Sequence, residues 1–144
     1  MSEFEIRQFM KKLSTFMYIS FALWILIVVV QFFVGIFTLI MGYGIATLLL
    51  MVYNLIGCIR YFKSIQIIKN YSTKEEASYC VNYFVKGIPM CWIFMFLNLF
   101  LGGVIGFFGN LYDLILSYYV KSKAGDLLMP VSESVYQDVE TTDW

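Results

Sequence analysis

Asp113 is the residue whose type and position in this chain most clearly suggest chemistry. It lies in the middle of an apolar stretch over 103–121 and is the only charged residue expected deep inside the apolar segments. A carboxylate at such a depth is costly in a bilayer, which makes it a candidate for proton or cation handling. The alternative is a structural hydrogen-bond clamp between helices, and the sequence leaves both open.

Two asparagines, Asn54 and Asn98, are further polar residues inside apolar segments. The letters YNLI at 53–56 match YDLI at 112–115, and this weak internal repeat would give Asn54 a depth similar to that of Asp113. An Asp113–Asn54 hydrogen bond between helices is therefore one predicted pairing. Amide side chains bridge membrane helices for about 1 kcal/mol or less. The polar residues are too few and too scattered to define a hydrophilic pathway.

Enzymatic chemistry has little support in the residue types present. The chain has no histidine, and its three cysteines form no CxxC pair, which removes His-containing nucleophile pairs and His-ligated metals. A membrane hydrolase or transferase would need a nucleophile with a base or a metal cluster. We therefore expect no catalytic residue, no metal site, no cofactor and no enzymatic activity.

The apolar segments themselves indicate a membrane protein. Between Leu13 and Ile59 there is no Lys, Arg, Asp, Glu or His, a run about twice the ~20 residues that cross a bilayer. Hydrophobic residues make up 60% of the chain and charged residues 14%, against about 25% charged in soluble domains. The unbroken runs lack the alternation of a barrel strand, so an all-α integral membrane protein is predicted.

The basic residues predict how many times the chain crosses. All ten Lys and Arg fall into an N-terminal, a central and a C-terminal segment, whereas 35–44 and 102–110 contain none. Turns at those two places put every basic residue on one side, which the positive-inside rule makes cytoplasmic. We therefore predict four transmembrane helices as two hairpins, with both termini in the cytoplasm. The predicted spans are about 13–35, 43–62, 79–102 and 103–121.

This arrangement divides the chain into a cytoplasmic N-terminal tail over 1–12, a transmembrane domain over 13–121 and a tail over 122–144. The two hairpins are joined by a basic cytoplasmic loop over 63–78. The tail is expected to be cytoplasmic and flexible, and able to dock a cytoplasmic partner, since it lacks periodicity and holds five of the ten acids. These acids are Asp126, Glu133, Asp138, Glu140 and Asp143.

Five basic residues around the central loop are expected at the membrane interface, where they could attract anionic lipid. They are Arg60, Lys63, Lys69, Lys74 and Lys86. In the same region Ser72 with Glu75, or Thr73 with Glu76, fits a capping box that begins the third helix. Pro89 removes a backbone donor farther along and is expected to kink that helix.

Four glycines form the densest cluster of small residues: Gly102, Gly103, Gly106 and Gly109. Two interpretations remain open. The first two glycines can make the turn between the third and fourth helices. The cluster can instead allow close contact between helix backbones, within the chain or between copies, and Gly102 with Gly106 has the spacing of such contacts.

Two functions follow from this architecture. The first is a non-catalytic accessory, regulatory or self-assembling subunit in the membrane. The alternative is a small channel or a proton- or cation-coupled transporter that uses Asp113. The expected partners are the lipid bilayer and either further copies of the chain or another membrane protein, without nucleic acid. No stretch of the sequence carries a family signature.

Overall fold

The computed structural model describes residues 2–70, 73–101 and 103–124, and these residues contain four α-helices and no strand. The predicted all-α class is confirmed. A short 3-10 turn, Leu39–Met41, follows the first helix. The helices are α1 (Glu3–Thr38), α2 (Gly44–Lys69), α3 (Lys74–Leu101) and α4 (Gly103–Ala124).

The helices pack as two hairpins. α1 lies along α2 and α3 lies along α4, and the hairpins join mainly where α1 packs against α4. By contrast, α2 and α3 touch at few places. The bundle is therefore closed along three of its helix pairs and looser along the fourth.

Within the part of the chain that the structure describes, three helices are long and apolar enough to cross a membrane: α1 with the turn that follows it (Glu3–Met41), α2 and α3. The fourth helix, α4, has 22 residues and carries Asp113. It is not among those three, because its segment mixes polar and glycine residues with its apolar ones.

The helices begin earlier and end later than the apolar segments alone suggest. α1 begins at Glu3, inside the predicted tail over 1–12, because Ser2 and Glu5 form a capping box. α2 continues to Lys69 and α3 begins at Lys74, so most of the predicted loop over 63–78 is helical. Exposed charged residues can continue a helix beyond its apolar segment. The length of an apolar run in the sequence therefore gives only the apolar part of a helix and not its ends.

The start of α3 confirms one of the two predicted capping boxes. The backbone N–H of Glu76 donates to the Thr73 hydroxyl at 3.2 Å, and the Thr73 N–H donates to the Glu76 carboxylate at 3.2 Å. Ser72, the other candidate cap, lies outside the described residues. The helix then continues through Pro89 to Leu101.

A large apolar core fills one end of the bundle, which we call the basic end. It joins the start of α1, the end of α2, the start of α3 and the end of α4, with side chains such as Ile6, Ile65, Val81 and Val120 nearly fully buried. All ten basic residues belong to the helix segments that meet at this end. The acidic tail predicted over 122–144 begins here, and from residue 125 onward it lies outside the described residues.

The opposite end, which we call the far end, closes through glycine. Gly44 lies so near the Gly35 carbonyl oxygen and the Leu39 backbone that a Cβ added at Gly44 would collide with both. The turn before it passes through Gly42 at φ 81°, a left-handed conformation that favours glycine. The Thr47 hydroxyl donates to the Leu101 carbonyl at 2.8 Å and ties α2 to the end of α3.

We expect Gly44→Ala to destabilise the fold by about 1–3 kcal/mol, because the backbone atoms it meets cannot move aside as a flexible side chain can. The matched control is Gly57→Ala on the same helix, where an added Cβ meets nothing within 4 Å. That control should be neutral or stabilising by up to about 1 kcal/mol. Unfolding of the purified proteins in mixed micelles, followed by circular dichroism, measures both. Equal stabilities of the two variants would contradict the close packing at Gly44.

Candidate functional site

The Asp113 carboxylate is held by two neutral donors on α1. The Ser20 hydroxyl donates to Oδ1, and the Trp24 indole N–H donates to Oδ2 at 2.6 Å. Ser20 is fully buried, whereas Asp113 and Trp24 are partly buried. The acid on α4 is thus tied to the first helix of the chain.

The structure differs from the predicted Asp113–Asn54 pairing. Asn54 instead donates from Nδ2 to Gln31 Oε1 at 2.8 Å and to Asn98 Oδ1 at 3.0 Å. The physical reason is the packing order, because α1 lies against both α2 and α4, accepting from Asn54 on α2 through Gln31 and donating to Asp113 on α4. Asn54 and Asp113 nevertheless line the same cavity, described below.

Gln31, Asn54 and Asn98, which we call the amide trio, join three helices. Gln31 donates from Nε2 to Asn98 Oδ1 at 3.1 Å, so that oxygen accepts from both α1 and α2. Asn98 in turn donates to the Phe94 carbonyl at 3.0 Å. All three side chains are buried, and a buried amide is costly unless it is paired. The trio therefore fixes the helices relative to one another.

Sequence reasoning named Asp113, Asn54 and Asn98 but missed Ser20 and Trp24. A signal for them exists in α1, where positions 20, 24, 27 and 31 follow the spacing of one helix face. The structure turns this face inward, since Ser20, Ile27 and Gln31 are among its most buried residues. In an aromatic-rich segment, residue type alone does not identify Ser20 and Trp24 as partners of Asp113. Their role becomes visible only when the inward face of α1 is known.

Two members of the glycine cluster, Gly106 and Gly109, lie at close contacts inside the bundle. A Cβ added at Gly106 would collide with the Asn98 side chain, and one added at Gly109 would collide with Ile27 and press on Trp24. α4 therefore approaches α3 and α1 closely where the polar residues lie. Gly103 is the first residue of α4, and Gly102 lies outside the described residues.

A cavity of about 290 Å³ lies between α2 and α3, with Asp113 in its wall. Six of its fifteen described lining residues are aromatic, and Tyr53 stacks on Phe94 with ring centroids 4.7 Å apart. The Tyr61 hydroxyl is buried and has no hydrogen-bond partner among the described residues. Gly57 and Gly87 also line the cavity, and a Cβ added at either meets open space. The aromatic residues of the lining are Trp24, Tyr53, Tyr61, Tyr83, Phe84 and Phe94.

Cysteine and metal chemistry is limited in this arrangement. Cys58 and Cys91 line the cavity, and both are free thiols, as is the buried Cys80. Within the described residues, no three His, Cys, Asp or Glu side chains come together in a way that could hold a metal ion. The described lining of the cavity thus offers one carboxylate, amides, hydroxyls and thiols as polar groups, together with the faces and edges of aromatic rings.

The five basic residues predicted at the membrane interface are all exposed. They lie on the last turns of α2 and the first turns of α3, near the basic end, and their contact with lipid stays a prediction. They are Arg60, Lys63, Lys69, Lys74 and Lys86.

Comparisons of the chain with protein-family models, with curated proteins and with solved structures gave no match.

We expect a double-mutant cycle of Asn54→Ala and Asn98→Ala to show positive coupling. Each substitution alone should destabilise the fold by about 1–2 kcal/mol, because it leaves buried partners without a hydrogen bond. The double variant should lose less than the sum, by about 0.6 kcal/mol or more. Unfolding in mixed micelles measures the cycle, with Gln66→Ala on the exposed face of α2 as a control. Strict additivity would contradict the contact between the two asparagines.

Proposed function

We propose that this protein crosses the membrane four times, as two hairpins, with both termini in the cytoplasm. Support comes from the charges: the ten basic residues belong to helix segments that meet at one end of the bundle. The positive-inside rule assigns that end to the cytoplasm. Large apolar side chains cover the outer faces toward the other end, such as Phe33, Phe37 and Ile40.

The fourth crossing needs separate support, because α4 is less apolar than the other helices. Its 22 residues extend about 33 Å, enough for the ~30 Å hydrocarbon core. Its acid is paired with Ser20 and Trp24, so that the carboxylate is partly shielded from lipid. Lys121 and Lys123 at its end match the basic termini of the other helices.

The topology can be tested with cysteines introduced into a chain whose three native cysteines are replaced by alanine. Cysteines at Ile40 and Phe100, which are 96% and 80% exposed, should react with an impermeant maleimide in sealed cells. Cysteines at Glu3 and Lys123 should react only after the cytoplasmic face is opened. Labelling of residue 123 from outside sealed cells would contradict the fourth crossing, and labelling of residue 3 would contradict the orientation.

Within that topology we propose a non-catalytic role, as an accessory or regulatory subunit that assembles with another membrane protein. The observation that carries this proposal is that both ends of the bundle are closed by packing. The apolar core fills the basic end, and the amide trio with the Gly35–Gly44 contact fills the rest toward the far end. A single copy in this state thus offers no polar route along its axis through the described residues.

The acidic tail is the segment proposed to dock the partner. It holds five of the ten acids within about twenty residues and follows directly after Lys121 and Lys123. An acidic segment next to the membrane can bind a basic surface on a partner. The attraction between the opposite charges would raise the rate of association as well as the affinity.

The alternative is a channel or a cation-coupled transporter, and one observation favours it. Asp113 is only partly buried as a residue and lies in the wall of a cavity, which places its carboxylate next to space that a small ion or ligand would occupy. An oligomer could then surround a pathway that one copy does not contain.

The composition of the native particle separates these functions. We expect the full chain, extracted at natural abundance in lipid nanodiscs, to carry a second protein in fixed stoichiometry by native mass spectrometry. The matched control changes the five tail acids to Asn or Gln and should lose that partner. A particle built only from copies of this chain would contradict the accessory role and favour the channel alternative. The next experiment would then compare the ion flux of the unaltered protein with that of the Asp113→Asn variant.

A further inference from the structure

We propose that the cavity between α2 and α3 binds a lipophilic organic cation, with an ammonium headgroup beside Asp113 and an apolar tail that extends into the bilayer. This inference depends on the membrane placement proposed above and is independent of the accessory role. It assigns a ligand class to the cavity, whose lining includes Asn54 of the amide trio as well as Asp113.

The charge of the cavity selects a cation. Both hydrogen bonds to the Asp113 carboxylate come from neutral donors, the Ser20 hydroxyl and the Trp24 indole. None of the described residues that line the cavity is Lys or Arg. A ligand cation would supply the positive charge that the described lining lacks opposite the Asp113 carboxylate. The attraction between the two charges is stronger in the cavity than it would be in water. An anionic ligand would be repelled by the same carboxylate.

The aromatic walls select an organic ammonium over a hydrated metal ion. Trp24 lies directly beside the carboxylate, and Tyr61 and the stacked pair of Tyr53 and Phe94 line the same cavity. Aromatic rings attract a cation placed over their faces, and cages of such rings recognise quaternary ammonium groups. Sites for small divalent cations usually combine several oxygen ligands, often with more than one carboxylate, and Asp113 is the only carboxylate among the described lining residues.

The opening of the cavity selects a lipophilic tail. The apolar core closes the basic end and the amide trio lies toward the far end, so a ligand enters between α2 and α3, which touch at few places. In the proposed topology that gap faces the bilayer. Gly57 on α2 and Gly87 on α3 leave space there, since a Cβ added at either meets nothing within 4 Å. The volume of about 290 Å³ suits a headgroup whose tail remains outside.

The test uses octyltrimethylammonium as the cation and octyldimethylphosphine oxide as a neutral probe of similar shape. Binding to the full chain in nanodiscs is measured by calorimetry, with empty nanodiscs subtracted to remove partition into lipid. We expect saturable binding of the cation, and binding of the neutral probe that is at least tenfold weaker. Failure of the cation to saturate the site, or equal affinity for the two probes, would overturn the proposal.

Variants separate the carboxylate from the space around it. Asp113→Asn should weaken cation binding at least tenfold, whereas the exposed Glu75→Gln should leave it unchanged. Gly57→Leu and Gly87→Leu should abolish binding by filling the cavity, while the hydrogen bonds of Asp113 remain. If Asp113→Asn does not fold by circular dichroism, these glycine variants decide. Full cation binding by both folded glycine variants would place the ligand elsewhere and overturn the assignment.

Discussion

The contact between Asp113 and its two donors on α1 is the interaction on which the rest of the bundle depends. It joins the last helix to the first and therefore one hairpin to the other. A carboxyl group among apolar helices must be paired, and the rotation of α4 is restricted to the orientations that allow this pairing. The amide trio applies the same constraint to α1, α2 and α3. These few polar contacts therefore determine how the helices are oriented, and the apolar side chains pack around them.

The sequence predicts the helical class and the identity of the central polar residues, because the length of an apolar run and the rarity of polar residues within it are visible in one dimension. It does not predict their partners. In helices that are apolar on every side, hydropathy does not indicate which face turns inward, so the shared spacing of Ser20, Trp24 and Gln31 does not by itself mark them as the inward face. The helix ends are missed for a related reason, since hydropathy marks the apolar part of α2 and says nothing about the helical turns that extend to Lys69.

Small residues have two opposite uses in this bundle. Gly44, Gly106 and Gly109 let neighbouring atoms approach so closely that an added Cβ would collide with them. Gly57 and Gly87 adjoin empty space, and they keep α2 and α3 from filling the gap between them. The first group brings helices together and the second preserves an opening. The spacing of glycines in the sequence cannot separate the two uses, because the difference lies in what stands opposite each residue.

The pairing of Asp113 with α1 also has a consequence for the order in which the chain is assembled. Chains are synthesised from the N-terminus, so Ser20 and Trp24 are made first and α4 last among the four helices. In the proposed topology, the acid of α4 meets its donors only if α1 has stayed available beside the insertion site. The first hairpin would then act as a template that receives the least apolar segment. A second hairpin made alone would lack the two groups that make its own final helix compatible with lipid.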